Sequence, residues 1–196
     1  MKRRISLLAA ALLAAVSLTG CVKIIDKGTE GQYTGEVAFD AAADSSGDWG
    51  QIAEEITGNA QELGSLLAGD GIATPCSAVS GKATVSDFIS KANGKKNMLV
   101  LKLDGYDGNE TIQMQIGSIY SDTVIRDLQT LKKFESFTNQ TEWSQYAKAL
   151  NSEMHTQVVE PLGLDESVKG KTITFAGGAT RSGDEITITP VSLTIE

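Results

Sequence analysis

The chain has 196 residues, 41% of them hydrophobic, with 25 acidic side chains against 17 basic for a formal net charge of −8. So acidic a balance argues against nucleic acid as a partner and against docking on an anionic membrane surface by charge. Zinc takes three or four nitrogen or sulfur ligands, and with one of its two cysteines blocked, as the segment around it implies, the chain offers one histidine and one free thiol.

Lys2, Arg3 and Arg4 form a basic head, and residues 5–16 are almost unbroken apolar sequence. That run is shorter than the roughly 20 residues a membrane-crossing helix needs, so it reads as a secretory signal. It ends in Leu18-Thr19-Gly20-Cys21, which resembles the bacterial lipobox at every position. The likeness implies cleavage before Cys21, a diacylglycerol on its sulfur and acylation of the new amino group. A thiolate is the strongest nucleophile available for such a transfer, and two or three acyl chains anchor stably where one does not. The expected organisation is a signal peptide over 1–20, a lipidated tether over 21–32 and one domain over 33–196. The leader holds three basic residues and no acid, so its removal moves the net charge from −8 to −11. With Cys21 blocked, Cys76 has no partner. It lies in Ala73-Thr74-Pro75-Cys76-Ser77 with no base nearby in sequence, and reads as an unpaired thiol rather than a nucleophile.

Residues 33–39 carry Tyr33, Gly35, Val37 and Phe39 on one parity and predict a first strand. Asp48 with Gln51 forms a candidate capping pair for a helix. Trp49, Ile52, Ile56, Ala60, Leu63 and Leu67 recur on one helical stripe, with a break expected near Gly58 or Gly64. From Gly81 the period changes to two. Residues 82–91, 98–103 and 111–116 predict a three-strand meander, with Leu99, Leu101 and Leu103, then Ile112, Met114 and Ile116, on buried faces. A second helical section is expected over 122–159. Its best-formed part starts at Asn139, boxed by Glu142, buries Trp143, Ala147, Leu150, Met154 and Val158, and ends at Pro161 and Gly163. Two last strands are expected over 171–176 and 185–195, joined by a turn-rich 177–184. In the final one the apolar parity switches between Ile188 and Val191, which requires a bulge, marked by Pro190. The sum is an α+β protein: a small, closed or partly open antiparallel barrel with the helices as a separate layer.

The stretches Gln115-Ile116-Gly117-Ser118-Ile119, Thr123-Val124-Ile125-Arg126-Asp127, 134–143, Ala149-Leu150-Asn151 and Gly170-Lys171-Thr172-Ile173-Thr174-Phe175, with the early Phe39-Asp40-Ala41-Ala42-Ala43, resemble a family of predicted periplasmic lipoproteins of unknown function (DUF2291). The resemblance implies an OB-like barrel beside a helical subdomain, residence in the cell envelope facing the periplasm or cell exterior, and a setting beside sugar ABC transporters. It carries no catalytic residues.

Sites read from the residues are modest. His155 stands alone, and Glu54-Glu55 are adjacent and do not face one another on a helix. Asp104, Asp107, Asn109 and Glu110 crowd one turn. They are a weak calcium candidate, and Asp-Gly and Gly-Asn turn chemistry explains the same letters. The richest candidate binding surface is Asn139, Gln140, Trp143 and Tyr146, amides beside aromatic faces, with Arg126 as a further candidate. No cofactor and no enzymatic activity are expected. The reading is a lipid-anchored accessory or binding component, with the membrane and a sugar transporter component as partners. A carbohydrate or other small-ligand receptor and an envelope protein–protein interaction module are the alternatives.

Overall fold

The computed structural model describes residues 39–196. The leader, Cys21, the tether and residues 33–38 of the expected first strand lie outside the described residues. The first helix among the described residues, α1 (Ala41–Gly58), is capped by Asp40, whose Oδ1 accepts from the N–H groups of Ala42 and Ala43 at 3.1 Å each. It therefore starts about two turns before the expected Asp48–Gln51 pair. Three alanines after a good cap are enough to begin a helix, and Asp48 lies inside it. Trp49, Ile52 and Ile56 are buried, as the stripe requires. The helix stops at Gly58. A two-residue strand β1 (Gln61–Glu62) and a short α2 (Leu63–Ala68) follow, α2 capped by Glu62 and burying Leu63 and Gly64.

The barrel is formed by β2 (Ser77–Ile89), β3 (Met98–Leu103), β4 (Thr111–Gln115), β5 (Thr172–Ser182) and β6 (Glu185–Ile195). The meander β2-β3-β4 continues through β6 to β5, and β5 returns to pair with β2, which closes the cylinder. All of these pairings are antiparallel except β4 with β6. The helical insert after β4 carries the chain round to β5, which pairs antiparallel with β6, and the β5–β6 hairpin turns it back so that β6 lies parallel to β4. Val79, Ala83, Val85, Leu99, Leu101, Met114, Ile173, Ile186 and Ile188 fill the interior at 5% exposure or less, each contributing about 1.5–3 kcal/mol if a Val- to Ile-sized side chain.

Two strand expectations change. β2 begins at Ser77 rather than residue 82, bulges between Val85 and Asp87, and ends at Ile89. β5 extends through Ser182, so residues 177–182 are strand and not turn. Gly177 and Gly178 serve close packing there. A Cβ on Gly177 would lie far inside contact of the Thr189 carbonyl, and one on Gly178 would run into Val124 and Leu128. Only Gly183, at φ +61, takes the left-handed conformation of the real turn. In β6 the pairing jumps from Gly177–Pro190 to Ala176–Ser192, leaving Val191 as the extra residue beside Pro190, which is the expected bulge.

The helical insert holds α3 (Val124–Leu128), a 3₁₀ turn (Phe134–Ser136) and α4 (Gln140–Met154). Asn139 caps α4, accepting from the N–H groups of Thr141 and Glu142, while the Glu142 carboxylate accepts from Thr138 N–H. The wide π turn His155–Val159 adds a residue to the last turn. Val159 rather than Val158 therefore continues the stripe of Tyr146, Ala147, Leu150 and Met154. Trp143 is only half-buried. Residues 40–196 form one compact unit.

Candidate functional site

In the helical layer the expected binding residues serve mainly as structure. Asn139 is spent on the α4 cap, and Gln140 is exposed beside it. Tyr146 is fully buried at 0% exposure, and its hydroxyl donates to Asp48 Oδ2 at 2.7 Å. Lys132 Nζ reaches the same oxygen at 2.7 Å and Asp44 at 3.1 Å. Trp143 is enclosed by aromatic neighbours, Phe137 at 5.0 Å, Phe134 at 6.3 Å and Tyr146 at 6.4 Å between ring centres. The Arg126 guanidinium sits 4.4 Å over its ring, itself held by Asp127 at 2.9 and 2.7 Å. The cation occupies the indole face that a sugar ring would otherwise stack upon.

A second cluster ties the barrel to the insert. Asp122 Oδ2 accepts from Gln115 and from Thr189 Oγ1, Asp122 Oδ1 accepts from Val124 N–H at the start of α3, and Asn151 Nδ2 donates to the Asp122 carbonyl at 2.9 Å. Tyr120 meets His155 Nδ1 at 3.3 Å nearby. Burial and then Asp122 push the Tyr120 phenol well above its ordinary range. Cys76 behaves likewise. Burial first, then Asp127 and Asp122, push its thiol up to about 11, which keeps it protonated and a poor nucleophile at neutral pH.

These shifts fix the sign of an alkaline effect. Cys76, Tyr120 and Tyr146 all hold their protons more tightly when folded, so their contribution is fully present below their unfolded values, about 9 for the thiol and about 10 for the phenols. It declines as pH rises through that window toward the folded values. Denaturation midpoints are therefore expected to fall steadily above pH about 9, and Tyr146→Phe is expected to flatten the fall. A midpoint level between pH 8 and 11 would contradict it.

The third place is a cleft at the β3–β4 turn, a cavity of about 310 Å³, near the lower end of ordinary ligand pockets, about 300–1,000 Å³. Buried Leu101, Leu103 and Ile112 supply its apolar lining. The Tyr106 hydroxyl donates to Glu110 Oε2 at 2.7 Å, and Arg181 Nη2 approaches Glu110 Oε1 at 3.4 Å. That hydrogen bond, first among the causes, holds the Glu110 carboxyl below the usual range and raises the Tyr106 phenol. Lys102 and Asp107 are the exposed polar groups at its edge. Of the calcium candidates, Glu110 is thus engaged by Tyr106 and Arg181. Among the described residues no three or more Asp, Glu, His or Cys side chains converge as a metal site. Sequence reading missed Tyr106, Lys102 and Arg181. Arg181 comes from a strand 71 positions along the chain from Glu110, and only barrel closure brings it there.

A family model described as "Predicted periplasmic lipoprotein (DUF2291)" matches residues 11–194. No curated protein matches the chain. Among solved structures, an OB-fold protein from Thermotoga maritima superposes with a TM-score of 0.56 at 14% identity, covering 82% of this chain and 100% of that one. At that identity the likeness concerns the fold alone, and it agrees with the closed five-stranded barrel.

Proposed function

Because the chain belongs to the family of predicted periplasmic lipoproteins (DUF2291), anchored to a membrane of the cell envelope, we propose that it is a non-enzymatic binding component holding a small, hydroxyl-rich ligand of the monosaccharide class in the Tyr106 cleft. The anchor is the acylated Cys21. The observation that carries the reading is the pairing of an apolar lining with the Tyr106–Glu110–Arg181 chain and the exposed Lys102 and Asp107. Carboxylates accept from sugar hydroxyls, an ammonium donates to them, and a phenol ring covers the C–H face. The sugar-uptake setting implied by the resemblance supplies a context for such a ligand.

The test is a thermal-shift screen of free pentoses and hexoses against the mature lipidated chain. A true ligand at 100 times its Kd stabilises by about 2.7 kcal/mol. The Gly108→Ala variant is the control. Its Cβ would overlap the Tyr106 hydroxyl and ring carbon and the Glu110 carboxylate, forcing that hydrogen-bonded pair apart, so it is expected to abolish the shift at a cost of about 1 kcal/mol to the unliganded chain. No shift with any sugar would remove the reading, and a shift retained in Gly108→Ala would remove the cleft.

A further inference from the structure

Three large hydrophobic side chains stand exposed among the described residues, and two of them, Leu131 at 37% and Phe134 at 41%, lie in one segment. This segment is not loosely held. Gln129, at 0% exposure, accepts from Lys132 N–H at 2.8 Å through its side chain and donates to the carbonyls of Arg126 and Lys132. Thr130 N–H and Oγ1 both donate to Glu55 of α1, at 3.1 and 2.6 Å. Phe134 meets Trp143 edge-on. Leu131 and Phe134 are thus held by a braced frame as neighbours in one segment rather than as singly scattered side chains.

The place of this frame on α1 points to what covers it. Lys132, between the two apolar residues, pairs with Asp44 in the first turn of α1, and α1 begins at its Asp40 cap, where the chain arrives from its N-terminal side. Residues 22–39 can reach at most roughly 60 Å even fully extended, so an anchor at Cys21 keeps this edge of the domain within reach of the bilayer. Local charge bears on which surface that is. Lys132 faces two carboxylates, Asp44 and Asp48, and exposed Lys133 and Glu135 offset each other, so the edge is slightly acidic, which disfavours an anionic surface and leaves a zwitterionic one. We propose that the Leu131–Phe134 edge, with Trp143 beside it, docks on the zwitterionic lipid surface in which the chain's own anchor sits. Two side chains would bind free vesicles weakly. An anchored domain meets the surface at an effective concentration of about millimolar, and weak apolar insertion then suffices to orient it.

This rests on the Cys21 anchor, and the experiment separates the two. Full-length chain from its native envelope is first shown by mass spectrometry to begin at a diacylglyceryl-modified Cys21. It is then reconstituted in phosphatidylcholine vesicles brominated near the headgroup end of one acyl chain, and tryptophan fluorescence is read. Trp143 is the half-buried reporter, and Trp49, at 7% exposure, is the shielded background. Quenching is expected in the native chain, to vanish in Trp143→Phe, and to be mostly lost in Leu131→Ser/Phe134→Ser. The single Leu131→Ser variant, which keeps the Phe134–Trp143 contact, is expected to lose part of it. A modified Cys21 with no quenching, or with equal quenching in the double variant, overturns the docking surface while leaving the anchor intact. So does chemical cross-linking of native chains into dimers through this edge without quenching. An unmodified Cys21 overturns the anchor and the docking drawn from it.

Discussion

Gly177→Ala is expected to destabilise the domain by about 3 kcal/mol, the upper end of what forcing an extra methyl group into packed space usually costs. The added carbon would collide with the Thr189 carbonyl and lie 2.8 Å from Pro190 Cα. Both obstacles are backbone at the β6 bulge, where Gly177 pairs with Pro190, so no side-chain rotation relieves the clash. Gly178→Ala is expected to cost less, because Val124 and Leu128 can shift on a short helix. The contrast is Gly47→Ala in α1, where a Cβ meets nothing within 4 Å and stability should rise by up to about 1 kcal/mol. Urea denaturation of the three variants decides it. Equal midpoints for Gly177→Ala and Gly47→Ala would mean the strands are not held at this spacing.

Asp48→Ala is the second large effect, expected at about 2 kcal/mol. It leaves the Tyr146 hydroxyl buried without its acceptor, and an orphaned buried donor costs about 1–3 kcal/mol. It also removes the nearer of the two carboxylates on Lys132. α1 and α4 are joined chiefly by apolar packing, so the domain should remain folded. A double-mutant cycle with Tyr146→Phe isolates the hydroxyl: Asp48→Ala should cost about 1 kcal/mol less in that background. Additive effects would show that the hydrogen bond contributes nothing beyond packing.

The periodic elements were legible without the fold. Leu99, Leu101 and Leu103 alternate because a half-buried strand shows one face to the core, and Trp49, Ile52 and Ile56 recur because a helix turns every 3.6 residues. The Val191 bulge was readable too, since a strand that switches its buried parity midway must absorb one extra residue to keep pairing with its neighbour. Failures came where a local signal had two physical causes. Glycines at 177 and 178 read as a turn, but they answer to a neighbour's backbone and to α3. Asp48 has the chemistry of a cap and is used as a buried acceptor. Tyr146 and Trp143 differ by three positions, yet one is sealed and the other half-open, because Asp48 of α1 and Lys132 close over Tyr146 while Trp143 lies at the edge of the layer beside exposed Phe134.

By itself the sequence determined that an acidic chain carries a meander, two helical sections and a bulged last strand, because periods and caps are written in residues within a few turns of one another. Only the tertiary structure decided that β5 closes on β2, that Glu110 meets both Tyr106 and Arg181, and that Leu131 and Phe134 stand out on a frame braced to α1. Those contacts join residues far apart in the chain, and their positions follow from how the layers pack rather than from any spacing along it.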